Sequence, residues 1–246
     1  MKKEEWFLHT PIAHRGITNI KKGITENSIE AAKLCIKYNI PMEIDVRMTK
    51  EKELILLHNN EVLFDTGIKK HYYDITKNDI KNYKIKNSKC KIATLDELLK
   101  VIDGKIPLLI EPKIITNNKK MELFINKLEK TLNSYNGKYI IHSFHFNIYK
   151  LYKNKSIKKG IILPLLEQFP KCIQNFTNKL IITNKKFDFI SFNIEKLNKK
   201  PIKYLTKIKK PILLWTVDIN KYYRFVKNID CNLIIKLDEL DLEYLE

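Results

Sequence analysis

Apolar residues along this chain come in short runs, each followed by a polar turn and then by a stretch with helical spacing. The runs at 11–16, 42–48, 107–113, 138–143, 159–163, 188–193, 211–217 and 232–236 are rich in Ile, Leu, Val and Phe. Such near-continuous runs fit strands covered on both faces. Between them, a helix over 28–38 places Ile29, Ala32, Cys35 and Ile36 on one face, and a helix over 119–133 gathers Met121, Leu123, Phe124, Leu128 and Leu132. Shorter helical stretches are expected near 146–153, 168–178, 201–207 and 219–227. Strands alternating with helices imply parallel pairing through right-handed crossovers. Eight such strands favour a closed α/β fold, a (β/α)8 TIM barrel, over an open doubly wound sheet. No Gly-rich phosphate loop follows the first strand, which also counts against a dinucleotide-binding sheet. No linker or repeat divides the chain, so residues 1–246 read as one barrel domain.

Local signals set several boundaries. Gly16 ends the first run and permits a tight turn or a close backbone approach. Asn27 is placed to cap the helix over 28–38, with Glu30 as its capping-box partner. Thr94 and Glu97 form the same pairing for a helix over 95–102, which Asp103-Gly104 stops. Lys50-Glu51-Lys52 turns the chain into an additional strand over 54–58. Residues 60–92 are the least regular, with a turn at Asp65-Thr66-Gly67 and a short capped helix within Asp74–Ile80. This segment is too short for a sizeable extra lobe.

Length and composition add bounds. The 246 residues match the roughly 250 typical of an eight-fold barrel. A hydrophobic fraction of 44% and a charged fraction of 30% describe an ordinary soluble globular chain. The net charge of +18 is spread over the whole length as dispersed lysine. No recognition motif accompanies it, so no nucleic-acid partner is expected, while contact with a membrane surface stays open. Cys35, Cys90, Cys172 and Cys231 form no close pair and read as reduced structural thiols. No signal peptide or membrane span is visible, which makes a cytoplasmic location the expectation.

The candidate chemistry lies at the ends of the strand-like runs. His14 and Arg15 follow Ile12-Ala13, Glu43 and Asp45 stand two apart on the second run, and His58 ends the additional strand. Glu43 and Asp45 share a strand face and can share a cation, and Glu111 offers a third carboxylate. Oxygen donors of this kind suit a hard divalent cation, Mg²⁺ or Ca²⁺. His14 and His58 come from different strands, as an acid and a base on opposite sides of a reacting atom require. Lys113, on the same strand face as Glu111, is a candidate phosphate contact. Trp215 either packs against the substrate or covers the barrel mouth. Ser143 is a weaker candidate, and His145 reads as a surface histidine.

The stretches His14-Arg15-Gly16, Glu26-Asn27-Ser28, Glu43-Ile44-Asp45-Val46 with Thr49, and the strand ending at His58 resemble the opening of glycerophosphodiester phosphodiesterases. Ala93-Thr94-Leu95-Asp96-Glu97-Leu98-Leu99, Leu109-Ile110-Glu111-Pro112-Lys113, Ser143-Phe144 and Leu214-Trp215-Thr216-Val217 extend the resemblance in order over nearly the whole chain. The resemblance implies a metal-dependent hydrolase of lipid and glycerol metabolism. It would cleave glycerophosphodiesters to an alcohol and glycerol 3-phosphate, with His14 and His58 as acid and base. Glu43, Asp45 and Glu111 would hold the cation, and Arg15, Lys113 and Trp215 would meet the substrate. One position departs from the pattern: the family usually has Asp after the second histidine, and this chain has Asn59. A lysophospholipase D-like lipid phosphodiesterase and a catalytically impaired anion-binding barrel remain as alternatives. The alcohol part of the substrate, the acid and base assignment and the oligomeric state are not set by the sequence.

Overall fold

The structure, a computed structural model, describes residues 5–113, 118–163, 186–194, 210–218 and 230–243. In chain order its strands are β1 (Ile12–Thr18), β2 (Met42–Met48), β3 (Leu54–Leu56), β4 (Glu61–Leu63), β5 (Lys69–His71), β6 (Leu108–Pro112), β7 (Tyr139–Ser143), β8 (Lys159–Leu163), β9 (Phe189–Asn193), β10 (Ile212–Val217) and β11 (Asn232–Asp238). The helices are α1 (Trp6–His9), α2 (Ile29–Lys37), α3 (Lys77–Asn82), α4 (Leu95–Ile102), α5 (Asn118–Asn133), α6 (Ile148–Leu151) and α7 (Glu239–Glu243). Eight strands run parallel in the order β1-β11-β10-β9-β8-β7-β6-β2, and pairing of β1 with β2 closes the ring. The fold is a (β/α)8 TIM barrel.

The two-residue period of each strand separates an inner face from an outer one. Ile12, Leu109, Ile140, Phe189, Leu213 and Ile234 meet inside the barrel. Their neighbours Ala13, Leu108, Ile110, Ile141, Ile190, Leu214 and Ile235 join the larger core under the helices. Phe7, from α1, packs with the inner set, its ring centroid 5.3 Å from that of Phe189. Asn232 fastens this plug by donating to the carbonyls of Phe7 and Thr10 at 2.9 and 2.7 Å. The amino-terminal end of the barrel is thereby an apolar floor. Two residues further along, the same inward faces carry His14, Glu111, His142, Ser191 and Trp215, so polarity rises toward the carboxyl-terminal mouth where barrel enzymes place their sites.

The local signals mostly act as read. Thr94 caps α4 in a capping box with Glu97, and Asp103 (φ 47°) and Gly104 (φ 71°) end it. The cap of α2 differs: Ser28 accepts from the Ala31 amide at 3.1 Å, and Asn27 instead turns inward. The short capped helix lies slightly later than expected, at α3, with Thr76 as its cap and a 3-10 turn over Tyr72–Asp74 before it. β3 pairs antiparallel with the far end of β2. Beyond it the β4–β5 hairpin and α3 bury Ile55, Val62, Phe64, Tyr72, Ile75, Ile80 and Ile92 as a satellite core. Residues 60–92, though few, therefore form a small lobe with its own apolar centre. Helix α6 is shorter than the expected 146–153. The helical stretches expected near 168–178, 201–207 and 219–227, and Cys172, lie outside the described residues. Cys35, Cys90 and Cys231 are free thiols, and among the described residues no helix is long and apolar enough to cross a membrane.

Filling of the floor depends on one position without a side chain. Gly160 on β8 pairs with Phe189, and a Cβ there would lie 2.2 Å from the Phe189 ring. Gly160→Ala is expected to displace that ring and cost about 1–3 kcal/mol, the usual penalty of overpacking. Urea unfolding followed by circular dichroism measures it, and an unchanged midpoint would mean that the floor can yield.

Candidate active site

The polar end of the barrel gathers the candidate residues, though His14, Glu43 and Asp45 lie within β1 and β2 and not at their ends as expected. On β2, Glu43 and Asp45 are both buried, and Asp45 pairs in register with the equally buried Glu111 of β6. Three carboxylates this close, away from water, repel one another and lose their hydration. Burial and the neighbouring Asp45 and Glu111 push Glu43 well above the usual carboxylate range. Burial and Asp45 likewise raise Glu111 to about 7. Asp45 goes the other way: burial would raise it, but Lys113 and Arg15 outweigh that and hold it ionised.

Two cations counter this charge. Lys113 Nζ lies 2.9 Å from Asp45 and 2.7 Å from Glu111. Although burial disfavours its charge, Glu111 and Asp45 raise its affinity for a proton. The Arg15 Nε stands 3.2 Å from Asp45, while one guanidinium nitrogen reaches both oxygens of Glu26 at 3.0 Å. The Arg15 backbone has a left-handed φ of 57°, which aims its amide at Glu43 Oε2, 2.9 Å away. Gly16 follows with φ 86°, and a Cβ there would meet Met42 and Ala31 at 2.8 and 2.9 Å. The sequence His14-Arg15-Gly16 thus needs its glycine because β1 bends under α2 at this point.

The Glu26-Asn27-Ser28 stretch works as a bracket across this bend. Glu26 holds Arg15, and Ser28 starts α2. Asn27 also has a left-handed φ, 53°, and its amide exchanges two hydrogen bonds with Asp45, one to the carboxylate at 3.0 Å and one from the backbone at 3.1 Å. Its expected role as a helix cap is corrected here: the side chain is spent on orienting Asp45.

His14 on β1 is partly buried, and the hydroxyl of Thr216 lies 3.5 Å from both its ring nitrogens. Burial and Arg15 lower its pKa to about 3. His58, just beyond β3, is also lowered by burial, while Asp45 and a hydrogen bond with Asn59 pull it back up. Its Nδ1 is 3.0 Å from Asn59 Oδ1. Arg47 fixes this segment by donating to the carbonyls of Leu57 and His58 at 3.0 and 2.6 Å. Beside it opens a cavity of about 560 Å³, whose wall includes Glu26, Leu57, His58 and Asn59.

Trp215 on β10 packs against the inner cluster and meets the exposed ring of Phe144 edge-on at 5.9 Å, so it lies at the mouth. Ser143 accepts from the His145 amide and shapes the turn after β7, and His145 accepts from the Asn147 amide within that turn. Neither is brought to the carboxylates by these contacts. His142 was passed over, yet it is buried, and one of its ring nitrogens lies with a carboxylate oxygen of Glu43 and one of Glu111, all three atoms within 4.8 Å of one another. Its alternation with Ile140 was the available signal. Arg47 and Ser191 were also missed, because each acts only through a contact made in three dimensions.

Comparison with known proteins places this arrangement. Residues 14–240 match the model of the Glycerophosphoryl diester phosphodiesterase family. The chain belongs to that family. It is similar to YhdW of Bacillus subtilis, which carries a glycerophosphodiester phosphodiesterase name, with 26% identity over 85% of this chain and 86% of that protein. Among solved structures, a glycerophosphodiester phosphodiesterase from Parabacteroides distasonis superposes with a TM-score of 0.74 at 19% identity, covering 96% of both chains. A phosphodiesterase from Oleispira antarctica, solved with its product sn-glycerol-3-phosphate, gives 0.74 at 17% identity over 97% of this chain and 96% of the other. At such identities these structures speak for the barrel. The family match is what ties this chain to phosphodiester hydrolysis.

The Asn59 side chain meets His58 without a charge. Asn59→Asp is therefore expected to raise the His58 pKa by about one pH unit or more, as an opposite charge in contact does. Imidazole NMR titration measures this directly. Titration unchanged from wild type would mean that residue 59 does not act on His58.

Proposed function

We propose that this protein hydrolyses glycerophosphodiesters to an alcohol and glycerol 3-phosphate, with His14 and His58 dividing the proton transfers and a divalent cation held at the buried carboxylates. The reading is carried by one observation: a family member keeps two histidines beside a cluster of three carboxylates, Arg15 and Lys113 at the barrel mouth. The buried acids fit a cation, because Glu43 and Glu111 are crowded together without enough positive charge to ionise both. Glu43 and Glu111 would hold it directly, with Asp45 at the edge of the set; when bound, it supplies positive charge to the phosphodiester oxygens.

The chain's own groups account for the remaining chemistry. Arg15 and Lys113 attract the phosphodiester anion and orient it over the carboxylate end. His14, uncharged down to about pH 3, is set to take the proton of the attacking oxygen, either water or the neighbouring glycerol hydroxyl. In the second case the ring phosphate that forms is opened by water in a following step. His58, on the wall of the cavity and favoured in its protonated form by Asp45 and Asn59, delivers that proton to the leaving alcohol oxygen, becomes neutral, and is reprotonated from water. Trp215 presents an apolar face at the mouth to the glycerol carbons.

A second substrate class is favoured by one feature. Ile20 and Leu63, exposed by 80% and 36%, stand on the rim of the cavity beside His58. An apolar rim suits the acyl chain of a lysophospholipid, so the lysophospholipase D-like reading keeps its place as an alternative. Product release from a panel of water-soluble glycerophosphodiesters and lysolipids, with chelator and with re-added Mg²⁺, Ca²⁺ or Mn²⁺, separates the two. Chelation is expected to abolish turnover and a cation to restore it; full activity in chelator would remove the metal from the reading.

His14→Ala and His58→Ala are each expected to lower kcat by about 10²–10⁴, the usual contribution of a positioned acid or base. The double variant should fall by less than the product of the two losses. A nitrophenyl phosphodiester, whose leaving group needs little protonation, should restore His58→Ala but not His14→Ala. The reverse pattern would exchange the two roles, and near wild-type turnover in either folded variant would end the two-histidine mechanism.

A further inference from the structure

His142 is 2% exposed on β7, with its side chain inside the barrel. Its Nδ1 lies 3.0 Å from the hydroxyl of Ser191 on β9. Its Nε2 is buried and, among the described residues, has no hydrogen-bond partner. A purely structural histidine would use that nitrogen, and acceptors are at hand. Glu43, Glu111 and His142 each offer one ligand atom, and these atoms lie within 4.8 Å of one another. The two acids nevertheless make no hydrogen bond to the ring.

That arrangement is costly without an ion and ordinary with one. Two donors bound to a common cation at about 2.0–2.6 Å stand up to about 4–5 Å apart. A ligating histidine commonly passes its other ring proton to an oxygen, which fixes the tautomer and leaves the lone pair on the ligating nitrogen. Ser191 is placed to receive that proton. Asp45 is differently engaged: Lys113, Arg15 and Asn27 all hold its carboxylate.

We propose that His142 Nε2 is a direct ligand of the cation held by Glu43 and Glu111, making a mixed nitrogen and oxygen site. Such a site favours Mn²⁺, Co²⁺ or Zn²⁺ over the Mg²⁺ or Ca²⁺ that carboxylates alone would select, because imidazole suits transition metals. Asp45 then serves mainly to place Lys113 and Arg15. The proposal rests on the reading that the buried carboxylates bind a cation, and its test separates the two.

Full-length, chelator-stripped protein is titrated with Mn²⁺, Co²⁺ and Mg²⁺ by calorimetry, and the Mn²⁺ form is examined by pulsed electron paramagnetic resonance for coupling to a directly bound nitrogen. Wild type should bind Mn²⁺ and Co²⁺ at least about 10-fold tighter than Mg²⁺ and show the nitrogen coupling. His142→Gln should lose the coupling and weaken Mn²⁺ binding by about 10–100-fold or more, which is the range reached by loss of a ligand's own supporting partner. Mg²⁺ binding should change less. Should that variant not fold, the His14→Ala/His58→Ala double variant replaces it, and the coupling should persist there. Mn²⁺ binding that depends on Glu111 but lacks nitrogen coupling, or keeps it in folded His142→Gln, overturns the role of His142 and leaves the carboxylate site standing. Absence of metal binding, or binding unaffected by Glu111→Gln, overturns both readings.

Discussion

The crowding of Glu43, Asp45 and Glu111 inside the barrel is the constraint on which the rest of the site depends. Asp45 and Glu111 are register partners on adjacent strands, and each acid is at most 8% exposed. Buried charges of one sign must be neutralised, hydrated or protonated. Lys113 and Arg15 between them keep Asp45 ionised, but Glu43 and Glu111 are driven toward their protonated forms. The protein therefore carries an electrostatic deficit at its centre that a bound cation would relieve. A fold selected for stability alone would have continued the apolar floor of Ile12, Leu109, Ile140 and Phe189 to the mouth.

Holding this deficit in place takes more residues than those facing the centre. The left-handed backbone at Arg15 and Asn27 brings an amide to Glu43 and a side-chain amide to Asp45. Glu26 ties down the guanidinium that pairs with Asp45. Arg47 grips the two carbonyls before Asn59, so the position of His58 depends on a residue that faces it only through backbone. The satellite core of Ile55, Phe64 and Ile80 then anchors β3 from outside the barrel. Each of these contacts limits how far the carboxylates and His58 can move.

Much of this was legible along the chain. The spacing of apolar runs showed eight strands, and their observed limits at 42–48 and 159–163 coincide with the expected ones. That is because strands buried on both faces must be continuously apolar, and the run itself then marks the element. The charged positions His14, Glu43, Asp45, His58, Glu111 and Lys113 were visible for the complementary reason, although His14, Glu43 and Asp45 lie within their strands and not at the ends. A charge in or beside such a run is conspicuous where desolvation makes it costly. The resemblance of the same stretches to a phosphodiesterase family was carried by these residues, and the family match extends over 14–240.

What only the tertiary structure decided was the partner of each polar group. Asn27 and Ser28 are adjacent, and either could cap α2; the choice fell to Ser28 because the Asn27 amide is claimed by Asp45, 18 residues on. His142 is a polar residue in the otherwise apolar centre of β7, and nothing near it in sequence distinguishes a core histidine from a ligand. Its neighbours arrive from β2, β6 and β9, the last 49 residues away. The sequence by itself determined which faces are buried and which residues bear charge there, since hydrophobic periodicity is local. The fate of each charge was decided only when closure of the barrel brought distant strands together, since hydrogen bonds, ion pairs and metal ligands require contact within a few ångströms.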